Sequence, residues 1–122
     1  MPHPSSIKLR TKSRLLEVTF DDGQRYELPF EYLRVHSPSA EVRGHGPGQE
    51  TLQLGKHEVG IKAVEPVGNY AVRLVFDDGH NTGLYTWSYL HELGSEREQK
   101  WAKYLARLSD LGIPYPTPLA RR

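Results

Sequence analysis

Six histidines, His3, His36, His45, His57, His80 and His91, hold most of this chain's capacity for chemistry near neutral pH. Imidazole both titrates in that range and ligates metals. His80 follows the turn Asp77-Asp78-Gly79, while His36 and His45 belong to a glycine- and proline-rich stretch around Ser37–Gln49. Two readings follow from that placement. In one, His80 with His36 and/or His45 holds a divalent metal, zinc or iron, with an open coordination position, and binding weakens as the rings protonate. In the other, His80 hydrogen-bonds across its turn and ties it to the long stretch, and no metal is needed. His57 and His91, each followed by glutamate, read as exposed polar positions.

Sequence signatures of catalysis are missing. There is no G-x-S-x-G, P-loop, H-E-x-x-H or G-x-G-x-x-G, and no histidine has a carboxylate two residues on, as an iron oxygenase pair requires. Gly44-His45-Gly46-Pro47-Gly48 lacks the lysine and following helix of a phosphate cradle. With no cysteine, the chain has no thiolate nucleophile, disulfide or iron–sulfur ligand set of its own. The expectation is a protein that is not an enzyme and has no predicted cofactor. Its long loop, with Arg43, Gly44 and His45, serves as an interaction surface.

The elements that must position these residues repeat. Val72–Leu93 reads as strand, turn, strand and short helix, and Leu15–Arg34 has the same plan. Phe20-Asp21-Asp22-Gly23 is answered by Phe76-Asp77-Asp78-Gly79, and Tyr32-Leu33 by Tyr89-Leu90. Alternation places Leu16, Val18 and Phe20 on one strand face, and Val72, Leu74 and Phe76 on another. Gly23 and Gly79 supply the positive φ that such turns need. Ile7–Arg10 reads as an edge strand, Leu52–Leu54 and Val59–Val64 as further strands, and Pro66–Asn69 as a turn. Ser95 with Glu98 resembles a capping box for a last helix whose stripe is Trp101, Tyr104, Leu105, Leu108 and Leu111, ended by Gly112 and Pro114. Arg97, Lys100, Lys103 and Arg107 read as its solvated face. The fold class is α+β: an antiparallel sheet of two related hairpins plus extra strands, with two or three helices on one face. Residues 1–6 read as a disordered start, 7–112 as one domain and 113–122 as a tail.

Sixteen basic against fifteen acidic side chains leave a net charge of +1, too little to favour nucleic acid or an anionic membrane. No stretch approaches the roughly 18 apolar residues of a membrane span, and Met1–Ser6 is not a secretory leader. Cytoplasmic location, as a monomer or weak dimer, is the expectation.

Three segments in order carry a family resemblance: Tyr32–Gly46 (YLRVHSPSAEVRGHG), Val67–Val72 (VGNYAV) and Phe76–Trp87 (FDDGHNTGLYTW). Together they resemble the gamma-butyrobetaine hydroxylase-like N-terminal domain family, whose small stand-alone bacterial members are domains of unknown function. The likeness spans about Ile7 to Gly112 and implies a compact α+β domain. In the hydroxylases this domain precedes an iron- and 2-oxoglutarate-dependent oxygenase domain, which has no counterpart in these residues. Elsewhere a similar domain is joined to Mrp-type ATPases associated with iron–sulfur cluster carriage. The resemblance therefore implies a small accessory or interaction domain serving iron or iron–sulfur protein maturation, with an iron–sulfur carrier ATPase as its partner. A small-molecule-binding domain related to the carnitine-pathway hydroxylases is a further alternative. The hydroxylases hold a structural zinc here through three cysteines and one histidine. Those positions fall on Ser37, Ser39, Val42 and His80, so three of the four ligands are lost.

Overall fold

The computed structural model describes residues 3–39, 42 and 52–116. Two antiparallel three-stranded sheets, where the repeat suggests a single sheet, account for the described strands. One sheet comprises β1 (Pro4–Arg10), β2 (Leu15–Phe20) and β3 (Arg25–Pro29), in that order, followed by α1 (Phe30–Val35). The other comprises β4 (Ile61–Val67), β5 (Ala71–Phe76) and β6 (Leu84–Thr86), followed by α2 (Trp87–Ser95) and α3 (Arg97–Asp110).

Each sheet turns on an Asp-Asp-Gly hairpin with the same internal bonds. Gly23 and Gly79 sit at φ 88° and 91°, where a side chain is strained. Asp22 Oδ1 accepts the Gln24 amide at 2.9 Å, and Asp78 Oδ1 accepts the His80 amide at 3.2 Å. The strands close above these turns, with Phe20 N–H donating to the Gln24 carbonyl at 2.8 Å and Phe76 N–H to that of His80 at 2.9 Å.

Alternation then sends one face of each sheet into a common core. Leu16, Val18 and Phe20 meet Val72, Leu74 and Phe76 in one cluster, closed by Leu33 of α1 and Leu90 and Leu93 of α2. Burying each such side chain is worth about 1.5–3 kcal/mol, so the two hairpin units hold each other in place.

Several boundaries differ from the sequence reading. β1 starts at Pro4, because its pairing with β2 extends to Phe20. Leu52–Leu54 lies outside any strand, and β4 runs through Pro66 and Val67, leaving the turn to 68–70. Pro66 fits because β4 is an edge strand, where a missing amide is tolerated. The capping box is not formed. Ser95 ends α2 and its hydroxyl donates back to the Glu92 carbonyl at 3.3 Å, while Glu96 caps α3 without a side-chain bond. The other end of α3 behaves as its residues suggest. Gly112 takes φ 69°, its amide reaches the Ser109 carbonyl at 3.0 Å, and the Ile113 amide reaches that of Leu108 at 2.8 Å. This is a Schellman stop, and Ile113 packs on the cluster of Val35, Tyr104 and Leu108.

Candidate functional site

The two units are laced together by reciprocal bonds between equivalent positions. The Tyr32 hydroxyl donates to the Leu93 carbonyl at 2.6 Å, and the Tyr89 hydroxyl donates to the His36 carbonyl at 2.6 Å. Tyr32 and Tyr89 are counterparts in the repeat, as are His36 and Leu93. The turn aspartates cross over in the same way. Asp22 Oδ2 contacts His91 Nε2 at 3.0 Å, and Asp78 Oδ2 accepts Arg34 Nε at 2.9 Å. His91 is thus half-buried against Phe20 and Tyr26 rather than an exposed polar position. His57 is also half-buried, with its Nδ1 enclosed.

One reciprocal contact breaks the symmetry, and it creates the candidate site. On one side Tyr26 lies against Gly94, so close that a Cβ there would enter the ring. On the other the counterparts are Gly83 and Ser37, and a Cβ on Gly83 would meet Ser37 Oγ. Where the first unit places a large ring, the second leaves room for a polar cluster. Ser37 Oγ is hydrogen-bonded to His80 Nε2 at 2.7 Å, and Ser39 Oγ lies 3.3 Å from the same nitrogen. All three residues are buried, as is Val42. Asp78 holds the His80 amide from beside the cluster. Burial opposes its charge, but Lys56 Nζ at 2.9 Å, the His80 amide and Arg34 together keep its carboxyl below the usual range.

A serine hydroxyl this close to an imidazole has the spacing of a nucleophile and base. Ser37, however, is only 1% exposed, packs tightly against Gly83 and lies at the wall of the cavity described below. The arrangement acts as a polar tether from the second hairpin to the segment after α1.

The zinc implied by the resemblance does not fit these residues. Neutral hydroxyls are poor zinc ligands and valine is none. The two serine hydroxyls and the imidazole Nε2 also hydrogen-bond to one another. Among the described residues, no group of three or more His, Asp or Glu side chains gathers as a metal would require. His36 turns one ring nitrogen to the backbone of α1. Its Nδ1 lies 2.9 Å from the Tyr32 carbonyl, which can only accept, so that nitrogen carries the proton. Burial, seconded by Lys100, pushes the His36 pKa down against the pull of that carbonyl, leaving a neutral ring at pH 7. Arg43, Gly44 and His45 lie outside the described residues.

Beside the tether, between α3 and the segment after α1, is a cavity of about 280 Å³. His36, Val42, Leu52 and the α3 side chains Lys100, Lys103 and Arg107 line it. Its two tyrosines are already committed. The Tyr89 hydroxyl serves His36, and Tyr104 donates to the Gln53 carbonyl at 2.6 Å, its pKa pushed up to about 12 chiefly by burial. Reading residue types alone missed the serines as partners of His80 and the tyrosines as cross-ties. The signal for the tyrosines was present in the repeat of Tyr32-Leu33 at Tyr89-Leu90.

Comparison with known proteins agrees with this architecture. The family described as gamma-butyrobetaine hydroxylase-like, N-terminal, matches residues 7–91. A protein solved by solution NMR is 49% identical, with 99% of this chain and 94% of that one covered at a TM-score of 0.82. A second NMR structure is 50% identical, with 100% and 90% covered and a TM-score of 0.81. A crystal structure from Acidithiobacillus ferrooxidans, of a protein of unknown function in the DUF971 family, is 42% identical. It covers 77% of this chain and 94% of its own, at a TM-score of 0.65. No curated protein matches the chain.

Proposed function

The chain belongs to the gamma-butyrobetaine hydroxylase-like N-terminal family, and from that premise we propose that it is a small non-enzymatic accessory domain that docks on a protein partner in iron or iron–sulfur protein maturation. One observation carries the reading. The groups at the junction that are able to do chemistry are spent on the protein's own structure, with Ser37 and Ser39 on His80 and the tyrosine hydroxyls on backbone carbonyls. A centre whose polar groups are bonded internally in this way supports presenting a surface better than turning over a substrate. The docking surface in this reading is the loop that carries Arg43, Gly44 and His45. The partner is an iron–sulfur carrier ATPase, as the family's domain company suggests.

Affinity capture from the native cell, followed by mass spectrometry, tests this directly. Wild-type protein recovers the ATPase, and Arg43→Glu with His45→Ala loses it. Retention of every partner by that variant removes the loop as the docking surface. Succinate formed from 2-oxoglutarate and iron, and abolished by His80→Ala, would overturn the non-enzymatic reading.

A further inference from the structure

The cavity beside the tether is chemically unlike it. At about 280 Å³ it falls just below the range of roughly 300–1,000 Å³ typical of drug-sized ligand pockets, so an occupant must be small. Its wall has an apolar part, formed in part by Val42 and Leu52, and a cationic part formed by Lys100, Lys103 and Arg107. The three cations follow one another at helical spacing along α3, which brings them onto one stripe.

Among the described residues their charge is only partly balanced. No Asp or Glu among the described residues lines the cavity. Lys100 is held by Glu92 at 3.0 Å, but the ion pairs among the described residues leave Lys103 and Arg107 without a carboxylate. Like charges facing a concave, partly apolar wall concentrate a positive potential there. An anion relieves it, and an apolar body on that anion gains the burial that Val42 and Leu52 offer.

We propose that this cavity binds a small organic anion, with its acid group against Lys103 and Arg107 and a short apolar portion against Val42 and Leu52. The site is independent of the docking reading, since it lies among described side chains and requires no protein partner.

Amide and imidazole NMR titration of the full 122-residue protein tests it, with hexanoate as the probe and acetate, inorganic phosphate and hexylammonium as comparators. Hexanoate should give saturable shifts at His36, Val42, Leu52 and Tyr104 and bind more tightly than acetate or phosphate. Hexylammonium should leave those signals in place. Lys103→Glu with Arg107→Glu should weaken hexanoate on the order of tenfold or more. A charge-matched control on the other sheet faces, Lys8→Glu with Lys62→Glu, should keep the affinity. No saturable shift, equal shifts from hexylammonium, phosphate binding as tight as hexanoate, or an equal loss in the control would each overturn the proposal.

Discussion

The two hairpin-and-helix units are built on one plan, yet their turn aspartates have different work. Asp22 faces solvent and reaches a half-buried imidazole, His91. Asp78 reaches Arg34, a guanidinium only 7% exposed, and shares the same oxygen with Lys56. The comparison separates what the repeat needs from what the second unit has added. Turn geometry, inward faces and tyrosine cross-ties are common to both. An aspartate bound to a buried cation, a histidine tethered to Ser37 and Ser39, and a glycine packed on a serine rather than on a tyrosine ring are found only around the second turn.

The largest expected effect follows from that asymmetry. Asp78→Ala leaves Arg34 buried without its carboxylate. Removing one partner of a buried pair costs about 3–5 kcal/mol, and partial exposure of Asp78, with Gln53 and the Phe76 ring still touching Arg34, reduces this to about 2 kcal/mol. Asp22→Ala should cost clearly less. Denaturant midpoints of the two variants decide it, and equal losses would mean the second aspartate has no added role. The pH dependence has a fixed sign. A carboxyl held below its usual value contributes stability above its unfolded pKa of about 3.9 and loses it as pH falls through the folded value. The difference between Asp78→Ala and wild type should therefore shrink below about pH 4.

How much of this was legible in the sequence divides along the same line. Period-2 alternation and the Asp-Asp-Gly turns identify four of the strands, since both signals are local. The failed capping box at Ser95 shows where local signals give way. α2 runs directly into α3, so the serine meets the Glu92 carbonyl before it can cap anything. The partition into two sheets was hidden because strand order depends on which edges meet, and both hairpins read alike. For the site, His80 stood out by type and position, but its partners did not. Serines in a proline-containing loop read as turn residues, and 43 residues separate Ser37 from His80. Nor does His57 or His91 announce by type that the fold will half-bury it.

The tether itself should give the next effect. His80→Ala removes the contacts to Ser37 and Ser39 and leaves two buried hydroxyls short of a partner, a loss of roughly 1–2 kcal/mol. Gln24, the equivalent position after the first turn, is exposed, and Gln24→Ala should leave the midpoint nearly unchanged. Chelation with EDTA should not move the wild-type melting temperature, because the tether is made of hydrogen bonds. Metal bound in stoichiometric amount, and lost together with folding on chelation, would replace the hydrogen-bond account by a metal one.

The smallest effect is the one in which the units should agree. Gly23 and Gly79 have nearly the same φ, and neither has any atom within 4 Å of where a Cβ would stand. Space is therefore not the constraint at either turn, and only backbone strain remains. Valine at positive φ is disfavoured by its branched Cβ, so Gly23→Val and Gly79→Val should each lose about 1 kcal/mol or somewhat more. The two losses should match within the error of a denaturant titration. Equal losses here, beside unequal ones at Asp22 and Asp78, would separate the shared turn frame from the second unit's added contacts. A Gly79→Val loss far above that of Gly23→Val would instead mean that strain at the second turn is transmitted to His80, one residue on. Frame and tether would then be a single cooperative element.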